Sequence, residues 1–259
     1  MDFKTRYLNE DEKPLDTLVQ GYSHTSIFRS IAVVGDSLSS GEFESRDENG
    51  KPIWRDKFEY SWGQYIARKN GSKVYNFSRG GLTANKYCES YAVENGFWDN
   101  DKACQAYIIA LGVNDMFHSD IEIGSITDID KNDYNQNKST FAGYYGKIIQ
   151  RYKKISPDAK FFFVTLPNDN RRDQEKLKKV NELFSEMAEF FENSYVIDLC
   201  KYAPVYDEKM RERFFLYGHM SPSGYIMTAE LIDSYIDYIV RHNYDDFRYV
   251  GLIGTDVKF

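Results

Sequence analysis

The sequence predicts an α/β protein built on a mainly parallel five-stranded sheet, and three observations carry that reading. Five short apolar segments recur along the chain. Each is a near-continuous apolar run, and most are followed by a helical pattern or a polar, glycine-containing turn. Continuous runs suit strands buried on both faces, and strand-helix alternation supplies the crossovers that parallel strands require. A chain of 259 residues is long enough for one large domain, expected over 1–259 with its core at about 28–240.

The elements follow in order. IAVVG (31–35) is the first strand and runs into GDSLSSG; a charged, aromatic connection covers 42–58. YSWGQYIARKNG predicts a short helix with Gly71 as its left-handed C-cap. KVYNF (73–77) and AYIIAL (106–111) are the next strands, and the polar segment 116–140 after the latter reads as a second long loop. Loops of this length in a compact domain usually cover a site or bind something. FAGYYGKIIQRYKKISP places Tyr145, Ile148, Ile149 and Tyr152 on one helical face, with Pro157 marking the end. After KFFFVTL (160–166), residues 173–191 carry a core stripe of Leu177, Val180, Phe184, Met187 and Phe191. YVIDL (195–199) is the fifth strand, and the last helix begins with Ser221 as cap and Pro222 in its first turn. The polar tail from Asn243 is expected to pack loosely at its end.

Charge and composition exclude several classes. A formal charge of -7 offers nucleic acid no basic surface, and the one basic run, RRDQEKLKK, reads as the solvated side of a helix. No apolar leader and no run of membrane-spanning length is visible, so a cytoplasmic protein without a membrane partner is expected. Cys88, Cys104 and Cys200 have neither the count nor the spacing of a disulfide framework or a zinc site, so no metal is expected. The 21 tyrosines and 18 phenylalanines leave room for a sugar-binding wall or a homo-oligomer contact.

Candidate chemistry sits in the turns after the strands, where open α/β sheets gather ligands. Ser37 lies just past the first strand, with Asp36 as organiser of its turn. Gly80 or Gly81 after the second strand can bring a backbone amide close to a bound oxygen, and Asn114 after the third offers a side-chain amide. With the Ser37 amide these are donors for the oxyanion of a tetrahedral intermediate. A serine nucleophile needs a base. Of the four histidines, His242 ends the last helix, while His24 and His118 read as surface residues; His219, in a glycine-flanked loop before that helix, is the candidate.

GDSLS around Ser37, NFSRGGLT with Gly81, GVND with Asn114 and GHMSPSGY with His219 together resemble, in order, the four blocks of the GDSL or SGNH hydrolases. The resemblance implies a flavodoxin-like three-layer α/β/α sandwich and hydrolysis of carboxylic esters without cofactor or metal. Ser37 would attack the acyl carbon and His219 would move its proton. The amides of Ser37 and Gly81 and the Asn114 side chain would hold the oxyanion, with Asn76 supporting the second block. One departure stands out. The family places an aspartate three residues before the histidine, where this chain has Leu216, which cannot fix the imidazole tautomer. A Ser-His dyad, an acid from elsewhere (Asp198, Asp169 or Asp207), or a degenerate binding member would each account for it. Phe43, Trp54 and Phe58 in the first long loop and Met116 and Phe117 in the second are candidate pocket walls. The favoured substrate is a small acyl ester, acetyl on a carbohydrate. The alternatives are a thioesterase or lysophospholipase using the same residues, a binding module, and a flavodoxin-like electron carrier.

Overall fold

In the computed structural model, which describes Tyr7 and residues 9–257, all five apolar runs form one parallel sheet. Its strands are β1 (Ser30–Gly35), β2 (Lys73–Ser78), β3 (Ala106–Ala110), β4 (Lys160–Val164) and β5 (Ser194–Ile197). They lie in the order β2-β1-β3-β4-β5, every neighbouring pair parallel. Four longer helices cover the faces: α1 (Trp62–Asn70), α2 (Phe141–Ile155), α3 (Gln174–Phe190) and α4 (Pro222–His242).

Alternation within each run explains why the runs are apolar throughout. Ala32, Val34, Phe161 and Phe163 pack with the α2 and α3 stripes, whereas Ile31, Val33 and Phe162 pack with Trp62 and Ile66 of α1 and Ile232 and Ile236 of α4. A strand that feeds two cores has no polar face to show. Phe161, Phe162 and Phe163 are all fully buried, each such side chain stabilising by about 1.5–3 kcal/mol relative to exposure. The helix ends follow their signals: Gly71 is left-handed at φ 68°, and Ser221 Oγ accepts from Gly224 N at 3.2 Å.

Three expectations change. Residues 42–58 are not an irregular loop but carry an antiparallel hairpin, Glu42–Arg46 paired with Pro52–Asp56. The segment 116–140 is stitched by Asp128, which accepts from Ser125 N, Lys138 Nζ and Thr140 Oγ1. The tail packs further than its polarity suggests: Phe247 and Val250 are buried, and Gln105 Nε2 donates to the carbonyls of Val250 and Ile253. No described helix is long and apolar enough to cross a membrane.

The sheet order fixes where a site can form. From β2 the chain crosses over β1 to reach β3, so the crevice between β1 and β3 opens at their carboxyl ends.

Candidate active site

Asp36 shapes the turn that follows β1. Its Oδ1 accepts from Leu38 N at 3.0 Å, capping a single helical turn, Ser37–Ser40. Burial pushes this carboxyl up to about 6. The turn closes at Gly41, whose φ of +80° and approach to the Lys57 carbonyl (2.6 Å from an added Cβ) admit no side chain. Ser40 Oγ donates to Asp56, tying the turn to the far strand of the hairpin.

The turns after β2 and β3 flank that of β1: Arg79 N donates to Gly35 O at 3.4 Å, and Asn114 lines one cleft with Ser37, whereas Gly80 and Gly81 are not among the cleft-lining residues. Asn76 Oδ1 accepts from Ser78 N at 2.9 Å, and Gly81 is left-handed at φ 71°. Gly80 lies against Glu42, whose Oε2 would be 2.3 Å from an added Cβ. Asn114 Nδ2 donates to Leu82 O at 2.9 Å and lies 3.5 Å from Asp36 Oδ2. Next to it, buried Asp115 accepts from Ala84 N at 2.9 Å, and burial pushes its carboxyl up to about 7. Both bonds anchor the Gly80–Gly81 turn beside the nucleophile turn.

His219 sits on a two-residue hairpin, Phe215–Leu216 with His219–Met220, reversed by Tyr217 in the left-handed region at φ 58°. Leu216 stands directly across from it and is 42% exposed, an apolar side chain with no acceptor to offer the imidazole. The carboxylate comes from the other hairpin. Glu44 Oε2 is 3.2 Å from His219 Nδ1 and accepts from Gly218 N at 2.9 Å, while Arg46 Nη1 donates to Glu44 Oε1 at 2.7 Å. Glu42 Oε1 lies 3.0 Å from Nε2. The ring is flanked by two carboxylates: burial alone would lower its pKa, but the bonds to Glu42 and Glu44 outweigh that and raise it above the usual 6.5. No hydrogen bond joins Ser37 Oγ to His219 among the described residues.

The candidate acids are engaged elsewhere. Asp198 caps the turn at Leu199–Tyr202 and accepts from Thr165, Asp207 caps Glu208–Phe214, and Asp169 pairs with Arg171 and Arg211.

One cleft of about 390 Å³ unites Ser37, Asp36, Asn114, Glu44 and His219. Trp54, directly across from Glu44 in the hairpin, and Phe117 wall it. Three expected wall residues do not: Met116 is buried in the core, Phe43 packs on Tyr60 and Tyr225, and Phe58 packs against the apolar cluster on the α1–α4 side. Arg171 and Arg172 line the cleft, which corrects their reading as a solvated helix face; they precede Asp173, the cap of α3. His118 is exposed but at the cleft, and His24 is held 2.7 Å from buried Asp237. Glu42 and Glu44 were missed by sequence reasoning, although Glu42, Glu44 and Arg46 alternate as one face of a strand must.

The sequence model of the GDSL-like lipase/acylhydrolase family matches residues 33–226. Curated proteins give no match to the chain. Among solved structures, Est24, a carbohydrate acetylesterase from Sinorhizobium meliloti, is similar at 18% identity and TM-score 0.54, over 82% of this chain and 99% of its own. A family two carbohydrate esterase from Clostridium thermocellum in complex with cellohexaose aligns at 14% identity and TM-score 0.56, over 89% and 67%. A family 3 carbohydrate esterase of that organism aligns at 16% identity and TM-score 0.51, over 82% and 97%.

Proposed function

Because the chain belongs to the GDSL-like lipase/acylhydrolase family, we propose that it hydrolyses small acyl esters of carbohydrates, acetyl first, through Ser37 and a histidine oriented by Glu44. The observation that carries this reading is the Glu44 carboxylate 3.2 Å from His219 Nδ1, in the cleft that also holds Ser37 and Asn114. An acceptor at Nδ1 keeps the proton there and frees Nε2 as the base.

In the resting arrangement Nε2 is occupied by Glu42. Catalysis requires that pair to part, so that neutral His219 takes the Ser37 proton as Oγ attacks the acyl carbon. The tetrahedral oxyanion then meets the amides of Ser37 and Gly81, neither of which has an acceptor among the described residues, and the Asn114 amide. Collapse expels the alcohol with the proton from His219, and water completes the cycle by the same route. Asp36 holds the turn and Asn114 in place.

An apolar cavity of about 50 Å³ adjoins the cleft, lined by Leu38, Ala110, Val113, Val164 and Leu166. Its size favours an acetyl group over a long acyl chain. Trp54, half exposed on the cleft wall, suits the face of a sugar ring. The test is hydrolysis of p-nitrophenyl acetate, butyrate and octanoate by wild type, Ser37→Ala and His219→Ala. Loss of about 10²-fold or more in both variants and preference for acetate are expected. Full activity without Ser37 refutes the reading.

A further inference from the structure

The cleft carries more positive charge than its catalytic residues use. Arg171, Arg172 and Arg211 all line it, and the only acid among them is Asp169. Asp169 takes Arg171 Nε at 3.2 Å and Nη2 at 3.3 Å, accepts from Arg211 Nη2, and stands 3.8 Å from Arg172 Nε. Three guanidinium groups against one carboxylate leave two formal positive charges in a partly enclosed site. The other acids of the cleft do not balance them: Glu44 is committed to Arg46, Gly218 and His219, and Asp36 is buried under its own turn.

Arg211 is the most telling of the three. Its side chain is only 15% exposed, and its Nε is buried without a hydrogen-bond partner. The guanidinium lies over Phe215 at 4.7 Å, and that of Arg172 lies over Phe117 at 4.6 Å. Aromatic faces thus hold two planar forks in fixed positions beside the cleft. Only Arg211 is a largely buried cation, but fixed, under-compensated guanidinium groups are the usual recognition element for carboxylate and phosphate.

We propose that the alcohol part of the ester carries an anionic group, a carboxylate or a phosphate, bound by Arg171, Arg172 and Arg211. This rests on the esterase reading above. The small apolar cavity beside the Ser37 turn takes the acyl group, which leaves the arginine end of the cleft to the alcohol. The substrate class is an acylated sugar acid or sugar phosphate, and the neutral sugar ester is the poor substrate.

The test compares O-acetyl glucose, O-acetyl galacturonate and O-acetyl glucose 6-phosphate as substrates for wild type, Arg171→Gln/Arg172→Gln and Arg211→Lys. Wild type is expected to favour at least one anionic ester by about tenfold or more in kcat/KM, with the preference shrinking as salt rises. The carboxylate and phosphate arms tell the two sources apart. The double variant changes exposed or half-exposed side chains, and Arg211→Lys keeps a cation for Asp169, so both fold. In both, the anionic-to-neutral ratio falls toward one. Equal rates on all three esters, or a ratio untouched by either variant, overturn the inference while Ser37-dependent cleavage of p-nitrophenyl acetate leaves the esterase reading standing. If no ester is cleaved, both fall together. Calorimetric titration of Ser37→Ala with galacturonate and with inorganic phosphate reads the arginine site without turnover; binding of neither overturns the inference.

Discussion

His219 meets two carboxylates, and they are expected to do different things. Both raise the imidazole pKa, so the wild-type kcat/KM is expected to rise with pH along a limb whose inflection lies above 6.5, because in the proposed mechanism only the neutral ring accepts the Ser37 proton. Glu42→Gln removes one of the two charges and lowers the inflection; it also weakens the competitor for Nε2, so activity near neutral pH gains relative to the plateau. Glu44→Gln lowers the inflection as well, but it offers the wrong partner to Nδ1 and is expected to cost roughly 10²–10⁴ in kcat even on the alkaline plateau. Profiles of the three proteins with p-nitrophenyl acetate separate these roles. A Glu44→Gln plateau equal to wild type would mean that His219 is oriented by something else. Arg46 belongs to the same unit, since its bond keeps Glu44 ionised and below the ordinary carboxylate range once it has outweighed the effect of burial.

At the scale of elements, the site is built from the turns after β1, β2, β3 and β4 and from two hairpins, and legibility divides along that line. Ser37, Asn114 and His219 line one cleft, and with Gly81 they were legible as candidates because each sits in a polar turn directly after or before a strongly patterned element. The Glu42–Arg46 hairpin was not read, although Asn49-Gly50 between EFESR and PIWRD is a turn signal flanked by alternation. Its strands bury no continuous apolar face, so the pattern that reveals core strands was missing, and the Glu44–His219 contact joins residues that lie 175 apart in sequence. Arg171 and Arg172 were misread for a local reason: the acids and lysines after them belong to α3, whereas the arginines themselves are in the loop after β4. The hairpin is joined to the nucleophile turn through Gly41, which gives a stability prediction. Gly41→Ala meets both a left-handed φ of +80° and a backbone carbonyl at 2.6 Å, whereas Gly254→Ala has a similar φ of +75° with nothing nearby. Gly41→Ala is expected to destabilise by about 1–3 kcal/mol more than Gly254→Ala in urea unfolding, because it adds a backbone clash to the same dihedral strain. Equal midpoints for the two variants would show that the turn relaxes without strain.

For the whole molecule, the buried carboxyls beside the nucleophile turn oppose the ion-paired carboxylates in how stability depends on pH. Asp237 is buried, but its bonds to His24 and Arg241 hold its pKa down at about 2, and Asp128 and Asp169 are also below their ordinary value. A lowered folded pKa gives stability that is lost as pH falls, so these groups favour the fold as pH rises out of the acid range. Asp36 and Asp115 run the other way. Burial lifts them from 3.8 to about 6 and about 7, so the folded protein holds their protons more tightly than the unfolded chain, and stability declines as pH climbs through that interval. For Asp36 the decline is on the order of 3 kcal/mol. His219, raised above 6.5 by Glu42 and Glu44, adds stability that is present in acid and lost as pH passes its folded pKa. The melting temperature is expected to peak at roughly pH 4–5 and to fall toward pH 8, and Asp115→Asn should make the descending limb shallower whatever it does to the peak. Thermal unfolding from pH 3 to pH 9 checks this, and a melting temperature that is flat or rising between pH 5 and 8 contradicts it. In the proposed mechanism the esterase needs neutral His219, so its activity is expected to climb over the same interval in which these buried groups weaken the fold, and stability and turnover make opposite demands on pH.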